Sequence, residues 1–193
     1  WEQTAFLKDC LSYGEDIIAA SQDICIIFGN IAVDWDKKNT DGRVRKYNAL
    51  YTAYNGKLIK PEKSPYPFVI KSLFPNYREF DDSCNFVSLA TELKLNLNDI
   101  LSPVKVNIKG QELNLGCILC EDGWSDDYAF APIDILCQNY KLDMLINISA
   151  SPYTFGKNNK RHRVFAKQAK DNNIPLIYVN NIGIQNNGKT IYT

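Results

Sequence analysis

The chain is poor in histidine, in long apolar runs and in net charge, and each of these shortages disfavours a class of protein. Its single histidine, His162, stands between Arg161 and Arg163, where we expect a solvated side chain, so a Cys–His catalytic dyad is disfavoured. No apolar run approaches the ~20 residues that a membrane-spanning helix needs. The 22 basic and 22 acidic residues cancel, so charge gives no reason to expect a nucleic-acid or membrane partner.

The chain also lacks an initial methionine. It opens at Trp1 inside a helical pattern, and we therefore expect a fragment, or a chain from which the start has been removed. Its 193 residues, 45% of them hydrophobic, are enough for one domain with a sizeable core. No internal repeat or low-complexity tract divides the sequence, so residues 1–193 are interpreted as a single, partial domain.

The six cysteines are scattered, at positions 10, 25, 84, 117, 120 and 137. They lack the density of a small disulfide-rich secreted domain, which favours reduced thiols and a cytoplasmic protein. Cys117 and Cys120 form a Cys-x-x-Cys pair, but strand residues three apart point to opposite faces. No second ligand pair follows, so we expect no metal site.

Periodicity predicts an α/β chain with short buried strands. The second half alternates strand and helix from residue 113 to residue 179, which predicts a sheet whose functional groups lie in the loops after the strands. Asn55-Gly56 is a strong hairpin signal. Helices are predicted over 1–20, 131–140 and 160–172, a short helix or mixed segment over 84–103, and strands over 23–29, 44–54, 57–59, 104–108, 113–120, 143–149 and 174–179.

The most informative stretch is the end of the strand predicted over 113–120. Its apolar run stops at Cys120, and Glu121, Asp122 and Gly123 read as a turn. A cysteine at the last buried position before a sharp turn can be held rigidly and still meet a substrate, as a nucleophile requires. The alternative is a small apolar core residue, since free cysteines are commonly buried.

Three further polar positions lie at predicted strand ends. Ser151-Pro152 follows one strand and Asn180-Asn181 another, while Lys71 precedes a loop rich in aromatic and charged residues. Loops that follow strands often carry function. Taken alone, Lys71 could equally be a solvated surface residue, and the Ser-Pro pair could be turn structure.

These stretches together resemble the carbon–nitrogen hydrolase (nitrilase) superfamily. Residues 71–82, Lys-Ser-Leu-Phe-Pro-Asn-Tyr-Arg-Glu-Phe-Asp-Asp, are similar to the family's Lys-x-x-Leu-Pro-Asn-Tyr-x-x-Phe-Asp-Glu, with Phe74 in the place of the leucine. The nucleophile motif matches at Cys120-Glu121-Asp122-x-Trp124, and residues 147–157 and 178–183 extend the match. This set is most similar to the glutaminase domain of glutamine-dependent NAD+ synthetase.

The resemblance implies a four-layer α-β-β-α sandwich and a Cys-Lys-Glu triad. Cys120 would attack the side-chain amide of glutamine, release ammonia and leave a γ-glutamyl thioester for water to hydrolyse. Lys71 would favour the thiolate and, with a backbone N–H after Cys120, stabilise the oxyanion. Tyr77, Ser151 and Lys157 match glutamine-binding positions. Glu121 would line the same pocket and could hold the α-ammonium group of the substrate.

The family resemblance also bears on cofactors and partners. The hydrolase domain itself needs no cofactor, and ATP and Mg²⁺ would enter only with an attached synthetase domain. No Ser-Gly-Gly-x-Asp-Ser motif of such a domain is present in the sequence. Family members commonly assemble through helices that flank the sheets, so a homo-oligomer is expected by analogy.

The chain departs from the family pattern in several places. The family's catalytic glutamate lies in a Pro-Glu-Leu motif, which this sequence does not contain, and Glu15 is not a substitute because it is predicted on a helix surface. The opening part of a typical family domain, with two strands, has no counterpart. Asp82 stands where a supporting glutamate is usual, and Cys84 and Asn85 replace an Arg-Tyr pair.

Three functional readings remain open at this point. The first is a glutaminase that supplies ammonia to a synthetase. The second is a stand-alone amidase or nitrilase-type hydrolase of another small amide. The third is an inactive homologue that lacks the catalytic glutamate and binds or scaffolds.

Overall fold

The computed structural model describes residues 1–75, 77, 80–93, 101–187 and 190–192. Asn76 of the Lys71 motif lies outside them, as do Leu95, Leu97 and Ile100 of the segment predicted over 84–103. The helices are α1 (Thr4–Ala19), α2 (Asp82–Asn85), α3 (Leu89–Leu93), α4 (Pro132–Asn139) and α5 (Lys157–Asp171). The strands are β1 (Ile26–Lys38), β2 (Val44–Tyr54), β3 (Lys57–Leu58), β4 (Val69–Ile70), β5 (Val104–Ile108), β6 (Gln111–Leu119), β7 (Met144–Ser149), β8 (Leu176–Asn180), β9 (Gly183–Asn187) and β10 (Thr190–Tyr192).

The first sheet is antiparallel and comes from the first half of the chain. Strand β2 pairs with β1, β3 and β4. The predicted hairpin is confirmed: Asn55 and Gly56, both with positive φ, connect β2 to β3. Strand β1 continues to Lys38, beyond the predicted 23–29. The apolar pattern stops earlier, but the charged end of the strand still pairs with β2 through its backbone.

The second sheet has the order β5-β6-β7-β8. Strand β5 is antiparallel to β6, whereas β6, β7 and β8 are parallel, connected by α4 and α5. The predicted strand–helix alternation over 113–179 is therefore confirmed. Because the three parallel strands end on one edge, the turns after Leu119, Ser149 and Asn180 lie side by side.

The two sheets pack face to face, which is the expected sandwich. Leu50 and Val69 of the first sheet share one buried cluster with Val104, Leu115 and Ile146 of the second. Alternation along β6 then turns Ile118 to the opposite face, where it packs with side chains of α4, Ile133 and Leu136 among them. Helix α1 covers β1, and the Asn30 amide donates to the carbonyl oxygen of Cys10 at 2.7 Å.

No helix in the described part of the chain is both long and apolar enough to cross a membrane. Those same residues hold no group of three or more His, Cys, Asp or Glu side chains that could bind a metal ion.

Candidate functional site

Cys120 lies at a sharp backbone turn immediately after β6. It begins a 3-10 turn, Cys120–Gly123, with a φ of 44°, a left-handed conformation that side-chain-bearing residues seldom adopt. Gly123 closes the turn against the ring of Phe165, where a Cβ atom would collide. A strained turn at the end of a buried strand is consistent with a nucleophile position.

Asp122 holds this turn against the segment that follows β4. Its Oδ1 accepts the backbone N–H of Ser72 at 3.0 Å and of Leu73 at 2.7 Å, while Oδ2 accepts the N–H of Leu119 at 3.1 Å. Burial raises the pKa of Asp122 to about 6, although these three backbone donors favour the carboxylate. Because Ser72 follows Lys71 directly, this carboxyl group brings Lys71 and Cys120 together.

Lys71 is buried, which excludes the solvated-surface alternative. Only 3% of the residue is exposed, and its Nζ lies 2.6 Å from Oδ1 of Asp82. The amide of Asn48 also donates to that oxygen, at 3.3 Å. The Asp82 carboxylate thus balances a buried ammonium group.

The thiol of Cys120 lies in the electrostatic field of these groups. Burial raises its pKa, and the Lys71 ammonium acts in the opposite direction by favouring the thiolate. Asn147, fully buried on β7, donates to the carbonyl oxygen of Cys120 at 3.2 Å and accepts from Ser149 Oγ at 2.7 Å. These two β7 residues therefore brace the nucleophile turn from the neighbouring strand.

Cys120 and Lys71 line one cavity of about 790 Å³ between the two sheets. Its wall combines polar residues, Asn48, Asp82 and Ser149 among them, with apolar ones such as Ile27, Phe28 and Phe86. Polar partners for a small amide are therefore present in the same cavity as the thiol.

Glu121 and Tyr77 contact each other but do not line this cavity. The Tyr77 hydroxyl lies 3.2 Å from each Glu121 carboxylate oxygen, and the Tyr128 hydroxyl lies 2.9 Å from Oε1. Glu121 is 5% exposed, whereas Tyr77 is half exposed. The structure therefore brings two of the predicted substrate-binding residues together. One of them, Glu121, directly follows Cys120 in the chain.

Ser151 lies on the loop between β7 and α5, and Lys157 lies at the start of α5. Ser151 is buried, and its backbone exchanges two hydrogen bonds with the Asn180 side chain, at 2.8 and 3.1 Å. Lys157 is the first residue of α5, directly after Gly156 with a φ of 76°. Neither residue lines the cavity, and the Ser151–Asn180 pair joins the ends of β7 and β8.

Sequence reasoning missed four contributors to the site: Asn48, Asn147, Ser149 and Tyr128. Asn147 and Ser149 were part of the matched motif, and their place at the end of a strand next to β6 was the available signal. Asn48 lies in the middle of β2 and Tyr128 in a long connection, so no local pattern distinguished either of them.

Comparisons with known proteins agree with the motifs. No protein-family profile matches the chain. A glutamine-dependent NAD(+) synthetase of Synechocystis is 33% identical over 121 residues, 58% of this chain and 19% of that protein. A protein of the same name from Aquifex aeolicus is 24% identical over 185 residues, covering 95% of this chain. The chain spans only 27% of the Aquifex protein, so it corresponds to a minor part of either relative.

Solved structures give the same fold. Glutamine-dependent NAD+ synthetase from Acinetobacter baumannii, in complex with ADP, superposes with a TM-score of 0.68 at 22% identity, over 96% of this chain and 29% of that one. XC1258 from Xanthomonas campestris, a CN-hydrolase superfamily protein with an arsenic adduct in its active site, gives 0.51 at 13% identity, over 85% of this chain and 51% of that one. The chain thus has the carbon–nitrogen hydrolase fold and resembles the glutaminase domain of glutamine-dependent NAD+ synthetase.

Proposed function

We propose that the chain carries the glutamine amide hydrolase site of a glutamine-dependent NAD+ synthetase. The observation that carries the proposal is the buried Lys71 ammonium, which lines the same cavity as the Cys120 thiol at its strained turn. A cysteine that attacks amides must react as the thiolate, and a neighbouring cation stabilises that form.

The proposed reaction proceeds in two steps. The Cys120 thiolate attacks the side-chain amide carbon of glutamine, and the resulting oxyanion is stabilised by Lys71 and by a backbone N–H after Cys120. The C–N bond then breaks as the amide NH₂ group takes up one proton, equivalent to the one that the thiol lost, so that ammonia leaves and a γ-glutamyl thioester remains. Water cleaves that thioester to glutamate and restores the thiol. The glutamate that moves these protons in the family has no Pro-Glu-Leu counterpart in the 193 residues.

Glu121 is proposed to bind the α-ammonium group of glutamine, and Tyr77, Ser151 and Lys157 to contact the same substrate. Support for Glu121 comes from its burial and its two phenol partners, which orient a carboxylate without neutralising its charge. Ammonia would pass to a synthetase domain or subunit that uses ATP and Mg²⁺. A homo-oligomer and a cytoplasmic location complete the proposal.

Active-site labelling tests the proposal. The protein is incubated with the glutamine analogue 6-diazo-5-oxo-L-norleucine, and peptide mass spectrometry locates the adduct. We expect a single adduct on Cys120 among the six free cysteines. Cys120→Ser should abolish labelling, whereas Cys137→Ser, which replaces a partly buried cysteine of α4, should not.

Absence of any adduct on folded protein would overturn the glutaminase proposal. Labelling of Cys120 by small haloacetamides but not by the glutamine analogue would favour an amidase with another substrate. Failure of both reagents at Cys120 would favour the inactive homologue.

A further inference from the structure

We propose that Tyr128 is a specificity-determining residue that orients Glu121 to receive the α-ammonium group of the substrate. This inference rests on the proposed glutaminase function and adds a residue that the family motifs do not contain. Tyr128 lies in the connection between the nucleophile turn and α4, directly after a second 3-10 turn, Ser125–Asp127.

Glu121 is a buried carboxylate with neutral partners. It is 5% exposed, and its hydrogen bonds come from the phenols of Tyr77 and Tyr128. Within the described ranges it forms no ion pair with a lysine, arginine or histidine. A buried carboxylate that lacks a cation is costly, and a cationic ligand group would relieve that cost.

Tyr128 connects Glu121 to the Lys71 loop. Its hydroxyl lies 2.9 Å from Glu121 Oε1 and 3.1 Å from the carbonyl oxygen of Phe74. Both neighbours are acceptors, so the single phenol proton is directed to one of them, and a carboxylate is the stronger acceptor. Burial and the neighbouring carboxylate both raise the pKa of Tyr128, so the phenol remains a donor at neutral pH.

The two phenols leave acceptor positions on the Glu121 carboxylate unused. The Tyr77 hydroxyl is equidistant from both carboxylate oxygens, whereas Tyr128 contacts only Oε1. An ionised carboxylate offers about four acceptor positions, so capacity remains after both phenols have donated. Tyr128 thus fixes the orientation of the carboxylate, and a substrate α-ammonium group would supply a cation that the described residues do not. An amide without an ammonium group gains nothing from this arrangement.

The test compares two reagents on Tyr128→Phe. The reagent 6-diazo-5-oxo-L-norleucine carries an α-ammonium group, whereas chloroacetamide alkylates the same thiol without one. We expect the half-saturating concentration of the first reagent to rise about tenfold, as for the loss of a hydrogen bond to a charged group, with its limiting rate nearly unchanged. The rate with chloroacetamide should stay the same. Glu121→Gln should show the same selective loss.

Tyr140→Phe serves as the matched control, because it removes a buried hydroxyl that has no hydrogen-bond partner among the described residues. It should leave both reagents unaffected. If Cys120 of the unmodified protein reacts with the norleucine reagent and Tyr128→Phe does not change its half-saturation, the inference is wrong and the glutaminase proposal stands. An equal loss with both reagents also overturns it, because Tyr128 would then only support the turn. If the unmodified protein is not labelled, both proposals fail together.

Discussion

Two charged groups, Lys71 and Asp82, act on the Cys120 thiol in opposite directions. The Lys71 ammonium lowers the pKa of Cys120, while the Asp82 carboxylate, 2.6 Å from Nζ, raises it. The Asp82 carboxylate therefore pairs with the buried lysine and offsets part of the effect of Lys71 on the Cys120 thiol.

Lys71→Met should make the thiol of Cys120 less acidic. Burial already raises the pKa of Cys120, and removing the nearby cation raises it further, so less thiolate is present at neutral pH. We expect the midpoint of alkylation rate against pH to rise, and the rate at pH 7 to fall about tenfold. Iodoacetamide kinetics at Cys120 across pH measure both.

Lys105→Met provides the comparison, since Lys105 is a largely exposed residue of β5 that pairs with Glu62. Its pH profile should match that of the unmodified protein. An unchanged midpoint in Lys71→Met would show that this lysine does not activate the thiol.

At the scale of elements, a buried carboxylate on the short helix α3 connects that helix to the first sheet. The side chain of Glu92 is 2% exposed and receives Lys37 Nζ at 2.6 Å, Arg45 Nη1 at 2.8 Å and the Tyr66 hydroxyl. Lys37 belongs to β1 and Arg45 to β2, so the contact ties α3 to the first sheet. The helix begins where the N–H of Leu89 donates to the carbonyl oxygen of Lys71 at 3.1 Å.

Glu92→Gln should destabilise the protein, because it leaves a lysine and an arginine without their buried counter-ion. Burial raises the pKa of Glu92, but hydrogen bonds from Lys37, Tyr66 and Arg45 outweigh it and lower the pKa from 4.5 to about 2. The carboxylate is therefore favoured in the fold, and its stabilisation is lost as pH falls from about 4.5 towards 2. We expect a loss of about 2 kcal/mol at pH 7, measured by urea unfolding.

The exposed Glu112 of β6 offers a control for that variant. Glu112→Gln should change the free energy of unfolding by less than about 0.5 kcal/mol. Equal stability of the two variants would mean that the Glu92 contacts contribute nothing to the fold.

The same elements show how far sequence reasoning reached. Strand β2 and the parallel strands were predicted closely, because local apolar patterns and turn residues determine them. The turn that follows β6, at Cys120–Gly123, was predicted for the same reason. The charged end of β1 was missed, and the environment of Lys71 could not be decided, because both depend on partners distant in the chain. Asp122, for example, lies 49 and 50 residues from the two N–H groups that place Lys71.

At the scale of the whole molecule, the site lies where the two sheets are joined. Asp122 follows β6 of the second sheet, and two of its three hydrogen bonds reach Ser72 and Leu73, which follow β4 of the first. The third reaches Leu119 at the end of its own strand. Lys71 and Cys120 arrive from different sheets, and the Asp122 carboxyl group adds a direct polar link between their segments to the apolar packing of the two sheets.

Asp122 should consequently give the molecule a distinctive dependence of stability on pH. Burial raises its pKa from 3.8 to about 6, so the folded state holds this proton more tightly than the unfolded state does. The stabilisation it contributes is complete below about pH 3.8 and is lost as pH rises through 6. From pH 4.5 to 7, above the range in which Glu92 acts, we expect the free energy of unfolding to fall by about 2 kcal/mol through this group.

Asp122→Asn removes the titrating group and should flatten that slope in urea unfolding measured from pH 4.5 to 7. It should also lower stability at every pH by about 1–3 kcal/mol, because an amide NH₂ must then face a buried backbone N–H of Ser72, Leu73 or Leu119. Asp127→Asn, at an exposed position of the next turn, should keep the slope of the unmodified protein. If the slope persists in Asp122→Asn, another group must titrate between the sheets. If the slope disappears, and Cys120 of the still-folded variant also alkylates more slowly, then the contact of Asp122 with the segment after β4 also assembles the site.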